Sequence, residues 1–167
     1  MTYKRSIITI ILICIVSPQL FRIAGVLMYA DFLFAFTSAG VVLLDEGEYH
    51  KLIIPAVAAK ILTDLALSYV AGMESIAFIV SIIILISLKR ILNSDNLITR
   101  MIAVVLTSVL YALFIGILSI VFLATISIYD IARYTLISTI LNSISAMIFM
   151  PYVSKYALEN KGKRYFR

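Results

Sequence analysis

The sequence predicts an all-α polytopic membrane protein with six transmembrane helices. Three observations carry that prediction. Of 167 residues, 63% are apolar and only 14% charged, against about 45–50% and about 25% in an average soluble domain. A soluble chain of this size has too little interior to bury so much Leu, Ile, Val and Phe. The apolar residues fall in runs close to the roughly 20 residues that a bilayer-crossing helix needs, and the basic residues gather at the ends of those runs. A secreted disulfide scaffold, a disordered tail and most soluble enzymes are thereby excluded. The net charge of +5 marks membrane faces, as topology requires, and not a surface for nucleic acid.

The first crossing is read over 6–21, behind Lys4 and Arg5. It resembles the start of a signal peptide, but a small-x-small cleavage motif is missing because Ser17-Pro18-Gln19-Leu20 follows. The run is therefore expected to stay as an uncleaved helix, kinked or ended by Pro18. Cys14, the single cysteine, lies within it and reads as a small core residue. A second crossing over 27–44 carries Asp31 in its first turn, where the positive end of the helix dipole favours a carboxylate. The polar loop 45–51 follows. It holds the single His50, which cannot build a zinc site, and no metal or cofactor is expected.

The third crossing, 52–69, contains Lys60 and Asp64, and a tight turn around Gly72 leads into the fourth, 74–89, where Lys89 and Arg90 can snorkel. Asn93-Ser94-Asp95-Asn96 reads as a turn with an N-cap. The stretch 101–129 has no charge, and a fifth crossing is placed over 101–125. Its length exceeds a bilayer, so it must tilt, break or protrude, with Gly116 as the place for a bend and as a helix-packing residue. The sixth crossing, 134–154, carries Asn142 midway and Pro151 near its end, and 155–167 forms a basic cytoplasmic tail. No repeat or Gly/Ser-rich linker divides the chain, which reads as a single integral membrane domain.

With six crossings, Lys4, Arg5, Lys51, Lys89, Arg90, Arg100, Lys155, Lys161, Lys163, Arg164 and Arg167 share one face. Only Arg22 and Arg133 face the other side, and Lys60 lies inside. That asymmetry predicts cytoplasmic termini. Five crossings would scatter the same charges over both faces.

Lys60 and Asp64 are four residues apart, share a helix face and are expected to pair, since either alone in hydrocarbon is costly. Asp31 is expected on the same outward half. The three could form a polar site or proton path, or a structural ion pair. Ala56, Ala59, Thr63 and Ala66 recur at helical spacing and would permit close helix approach, which favours packing. Asn142 reads as an interhelical hydrogen-bonding residue. Lys161, Lys163 and Arg164, flanked by aromatics, either dock on anionic lipid headgroups or only enforce topology. No Ser/His/Asp set, phosphate loop or paired acids emerges, so no enzymatic activity is expected.

The run Tyr29-Ala30-Asp31-Phe32-Leu33, then Lys60-Ile61-Leu62-Thr63-Asp64-Leu65, then Gly72 in a short turn, resembles the bacterial rod shape-determining protein MreD family. Asn142, Ala146, Pro151 and Lys155 are similar to that family's last helix and basic tail. Two positions depart from the pattern: Ala30 stands where the family usually has Pro, and Lys60 where it usually has Gly. The resemblance implies a non-enzymatic protein of the bacterial inner membrane that binds MreC. Through MreC it would join the cell-wall elongation machinery with RodA, a class B penicillin-binding protein and MreB. It also implies helix-packing roles for Gly72 and Pro151, and a fold similar to the substrate-binding subunits of energy-coupling-factor transporters. Such a vitamin-binding subunit is the rival reading. Those subunits usually carry an Ala-x-x-x-Ala pattern in their first helix, whereas 6–21 contains no alanine.

A reporter fused to the C-terminus is expected to be active only in its cytoplasmic form. Activity of a periplasmic reporter at that end would overturn the charge assignment.

Overall fold

Helix ends and helix faces in this chain follow from a few capping groups and small residues. In the computed structural model the described residues are 8, 12, 29–45, 48–67, 70–92, 96–123 and 127–164. They form five helices: α1 (Phe32–Leu43), α2 (Tyr49–Leu67), α3 (Met73–Leu92), α4 (Leu97–Leu123) and α5 (Ile128–Arg164). Of the predicted first crossing only Ile8 and Leu12 are described, both helical and exposed. Pro18 and Cys14 lie outside the described residues.

Helix α1 is the central element. It packs against each of the other four described helices, and ten of its twelve residues are buried. It is shorter than expected, starting at Phe32 and not near Leu27. The reason is local: Asp31 adopts an extended conformation and its carboxylate accepts the Phe34 N–H, which ends the helix there as an N-cap. At 1.5 Å per residue α1 is about 18 Å long, so of a predicted crossing of roughly 30 Å this helix itself supplies only part. Its two hydroxyls turn back on its own backbone, Thr37 Oγ1 donating to the Leu33 carbonyl and Ser38 Oγ to the Ala35 carbonyl. Polar side chains can therefore lie in the core with their bonds made.

Three helices are long and apolar enough to cross a membrane: Met73–Leu92, Leu97–Phe122 and Ile128–Lys155. Helix α4 starts at the predicted cap, where the Asn96 side chain accepts the Ile98 N–H. It runs unbroken through Gly116. No break occurs there. A Cβ at Gly116 would lie 2.6 Å from Ile131 Cγ2, so this glycine lets α5 approach. Helix α5 begins six residues before the predicted Tyr134. Ser127 and Asp130 form a reciprocal cap, with Ser127 Oγ donating to Asp130 Oδ2 at 2.6 Å and the Asp130 N–H donating to Ser127 Oγ at 3.2 Å. Tyr129, assigned from sequence to the uncharged stretch before it, thus belongs to α5. That helix continues through Pro151 to Arg164. Pro151 lies inside the helix and is exposed on its surface.

The turn between α2 and α3 is as tight as expected. Gly72 adopts φ +91°, and a Cβ added there would meet nothing within 4 Å. Its contribution is thus conformational, not the close packing assigned to it from the sequence. Close packing falls instead at Gly40, where a Cβ would lie 2.0 Å from Leu52 Cδ2. Leu52 is itself buried. Gly40→Ala is expected to lower unfolding stability in detergent by about 1–3 kcal/mol. Combined with Leu52→Ala, the loss should be smaller than the sum of the two single losses, because the truncated side chain vacates the clash.

Candidate functional site: a buried ion-pair cluster

Every described helix contributes a polar group to one buried cluster. The Lys60 ammonium donates to Asp31 Oδ2 and to Glu74 Oε2, both at 2.7 Å. Tyr111 of α4 donates its hydroxyl to the same Asp31 oxygen. From α5, Asn142 Oδ1 accepts the Asp31 N–H at 2.8 Å, while Asn142 Nδ2 donates to Ser138 Oγ at 3.2 Å. Asp31 thereby uses its backbone N–H and both carboxylate oxygens. Lys60, Tyr111 and Asn142 are buried, the Asp31 side chain is 16% exposed, and the Glu74 side chain, 39% exposed, is the most open of the cluster.

Local structure explains why these residues meet. Asp31 starts α1 opposite Tyr111, just past the middle of the span Leu97–Phe122, and opposite Asn142, midway along Ile128–Lys155. The Tyr111 ring stacks on Phe34 with centroids 4.3 Å apart and planes 6° from parallel, which aims its hydroxyl at the cap. Glu74 lies in the first turn of α3, a favourable place for a carboxylate. Lys60 projects from the inner face of α2, which also buries Leu52, Ala56 and Ala59. Ala66, expected on this small-residue face, is exposed.

The predicted pairing of Lys60 with Asp64 is not made. Lys60 turns to Asp31 and Glu74, and Asp64 Oδ2 accepts the Ser75 N–H at 2.8 Å. The physical reason lies in the turn. Helix α3 follows Gly72, whose missing side chain leaves the first N–H groups uncapped. Asp64 reaches over from α2 and supplies the carboxylate that an N-cap residue would normally provide. Within a single helix, Lys before Asp is also the weaker order of pairing.

Lys89 differs from its snorkelling assignment. Its ammonium donates to the carbonyls of Val41, at 2.9 Å, and of Leu44, where the last turn of α1 leaves carbonyls free. The other predicted site residues do not join the cluster. Gly72 makes the α2–α3 turn, Gly116 packs under Ile131, and Pro151 lies within α5. Lys161, Lys163 and Arg164 form the end of α5, and their side chains lie outside the described ones. The sequence reading missed Glu74, Tyr111 and Ser138. Glu74 was visible as an acid opening a helix, whereas Tyr111 carried no signal among uncharged neighbours.

Asp31, Glu74 and Lys60 carry a formal charge of −1 between them. The chemistry this offers is helix cross-linking: two carboxylates share one ammonium, and a tyrosine and an asparagine complete the shell. Among the described residues no group of three or more His, Cys, Asp or Glu is arranged to hold a metal ion. No protein-family model matches the chain, and neither a curated protein nor a solved structure is found to be similar to it.

Lys60→Met is expected to cost about 3–5 kcal/mol of unfolding stability, because it strands a buried carboxylate. Adding Asp31→Asn should cost less than the sum of the single changes, whereas adding Asp64→Asn should be nearly additive. Stronger coupling of Lys60 to Asp64 than to Asp31 would overturn the assignment.

Proposed function

We propose that this chain is a non-enzymatic scaffold of the MreD type in the bacterial inner membrane, with six crossings and both termini cytoplasmic. In this reading it binds an MreC-like membrane protein and through it serves cell-wall elongation and rod shape. RodA, a class B penicillin-binding protein and MreB would be indirect partners, and nucleic acid none.

One observation carries the reading. The residues on which the resemblance rests have structural tasks: Asp31 caps α1, Asp64 caps α3, and Gly72 makes the turn between α2 and α3. Groups committed to fixing helix ends give a rigid platform for a partner. Lys60, which departs from the family pattern, neutralises one of those capping aspartates. A long cation here performs helix tethering where the family usually has a glycine. The three helices able to cross a membrane fit the membrane setting, and the positive-inside bias supports the orientation.

The test is co-expression with the MreC-like protein encoded nearest to it, followed by affinity purification in mild detergent. Stoichiometric co-purification is expected. Failure to co-purify, together with a vitamin retained through purification, would replace the scaffold with the substrate-binding subunit of an energy-coupling-factor transporter.

A further inference from the structure

Arg133 is a cation without an acid. It lies in the second turn of α5, is exposed, and its guanidinium makes no hydrogen bond or ion pair among the described residues. Asp130, one turn earlier, is turned to the Ser127 hydroxyl, at 2.6 Å. The ion-pair cluster lies on the other side of the helix, where Ser138, Asn142 and Ala146 are buried.

The depth of Arg133 follows from the helix that carries it. The span Ile128–Lys155 has 28 residues, or about 42 Å at 1.5 Å per residue. A hydrocarbon layer of roughly 30 Å centred on it leaves about four residues beyond each boundary. Arg133 therefore lies just inside the boundary. Side chains on a helix lean toward its N-terminus, so this one reaches back to the level of the lipid phosphates while its methylenes stay in the apolar layer.

Its neighbours outline a lipid. Tyr129, Leu136, Ile140, Ile144 and Met147 are exposed with it, at spacings of three and four that put them on one helix face. Tyr129, 75% exposed, sits one turn further out, in the interfacial layer that suits a phenol. From Leu136 to Met147 the face offers an apolar strip to an acyl chain. Charge selects the headgroup. In a zwitterionic lipid the phosphate already has an ammonium of its own, whereas an anionic lipid brings a phosphate with no cation. Arginine binds such an oxyanion through two parallel N–H bonds.

We propose that Arg133 and Tyr129 hold the phosphodiester of one anionic phospholipid, with an acyl chain along the apolar strip below. The site requires only that α5 crosses a membrane, and it stands or falls apart from the scaffold reading.

The chain has no tryptophan, so a single one can be introduced to report the lipid beside it. Leu136→Trp puts the reporter on this face, and Ile117→Trp puts it at an exposed position of α4 without a neighbouring charge. Each full-length variant is reconstituted in phosphatidylcholine mixed with phosphatidylglycerol that carries brominated acyl chains, and quenching gives the relative affinity of the two lipids. Phosphatidylglycerol is expected to be preferred about fivefold at position 136, with no preference at 117. Arg133→Gln should bring the value at 136 down to that at 117. Asp130→Asn, which removes the neighbouring negative charge, should raise it, and it keeps the test open where Arg133→Gln fails to fold. Equal values at 136 and 117, a preference that survives Arg133→Gln, or no rise with Asp130→Asn overturns the site. So does a co-purifying protein that is lost with Arg133→Gln while the lipid preference stays, which would give the guanidinium to that protein.

Discussion

A short, largely buried helix with both ends to close is the constraint around which this bundle is arranged. Ten of the twelve residues of α1 are buried, and like any helix it leaves four amide hydrogens and four carbonyls free at its ends. Its start is closed by the Asp31 carboxylate and its end by the Lys89 ammonium. A carboxylate brought this deep needs a cation of its own, which Lys60 provides. Tyr111 and Asn142 complete the remaining hydrogen bonds. One capping requirement thus fixes the relative positions of α1, α2, α4 and α5, and Lys60 extends the tie to α3 through Glu74.

Close approach then follows from small residues at the crossings. Gly40 admits Leu52 of α2, and Gly116 admits Ile131 of α5. Hydrophobic burial cannot drive helix association among lipid tails that are equally apolar, so packing contacts and interhelical hydrogen bonds carry it. The polar cluster supplies the second and the glycines the first. Asp64 repeats the theme at the start of α3, serving a helix whose preceding residue is a glycine with no side chain to offer.

Much of this was legible in the sequence. The amphiphilic bookkeeping of runs and charges gives the helical class, and Asp31, Lys60, Asp64 and Asn142 are conspicuous because polar groups in apolar runs need partners. Partner choice was not legible. The i,i+4 rule describes one helix, whereas Lys60 meets Asp31 and Glu74, 29 and 14 residues away in the chain. The boundaries of α1 and α5 were misplaced for a related reason: hydropathy does not register the Asp31 cap or the Ser127–Asp130 cap. Tyr111 was invisible because a phenol counts as apolar until its hydroxyl finds an aspartate.

Helix α2 also bears on how the protein is made. With Lys60 and Asp64 on it, α2 is not among the helices whose composition suits crossing, and charges near a helix centre are rejected when a segment is offered to the bilayer alone. The Gly72 turn holds it within hydrogen-bonding distance of α3. Insertion of α2 and α3 as one hairpin satisfies that constraint. Lys60 meets its acid on α3 before it meets lipid.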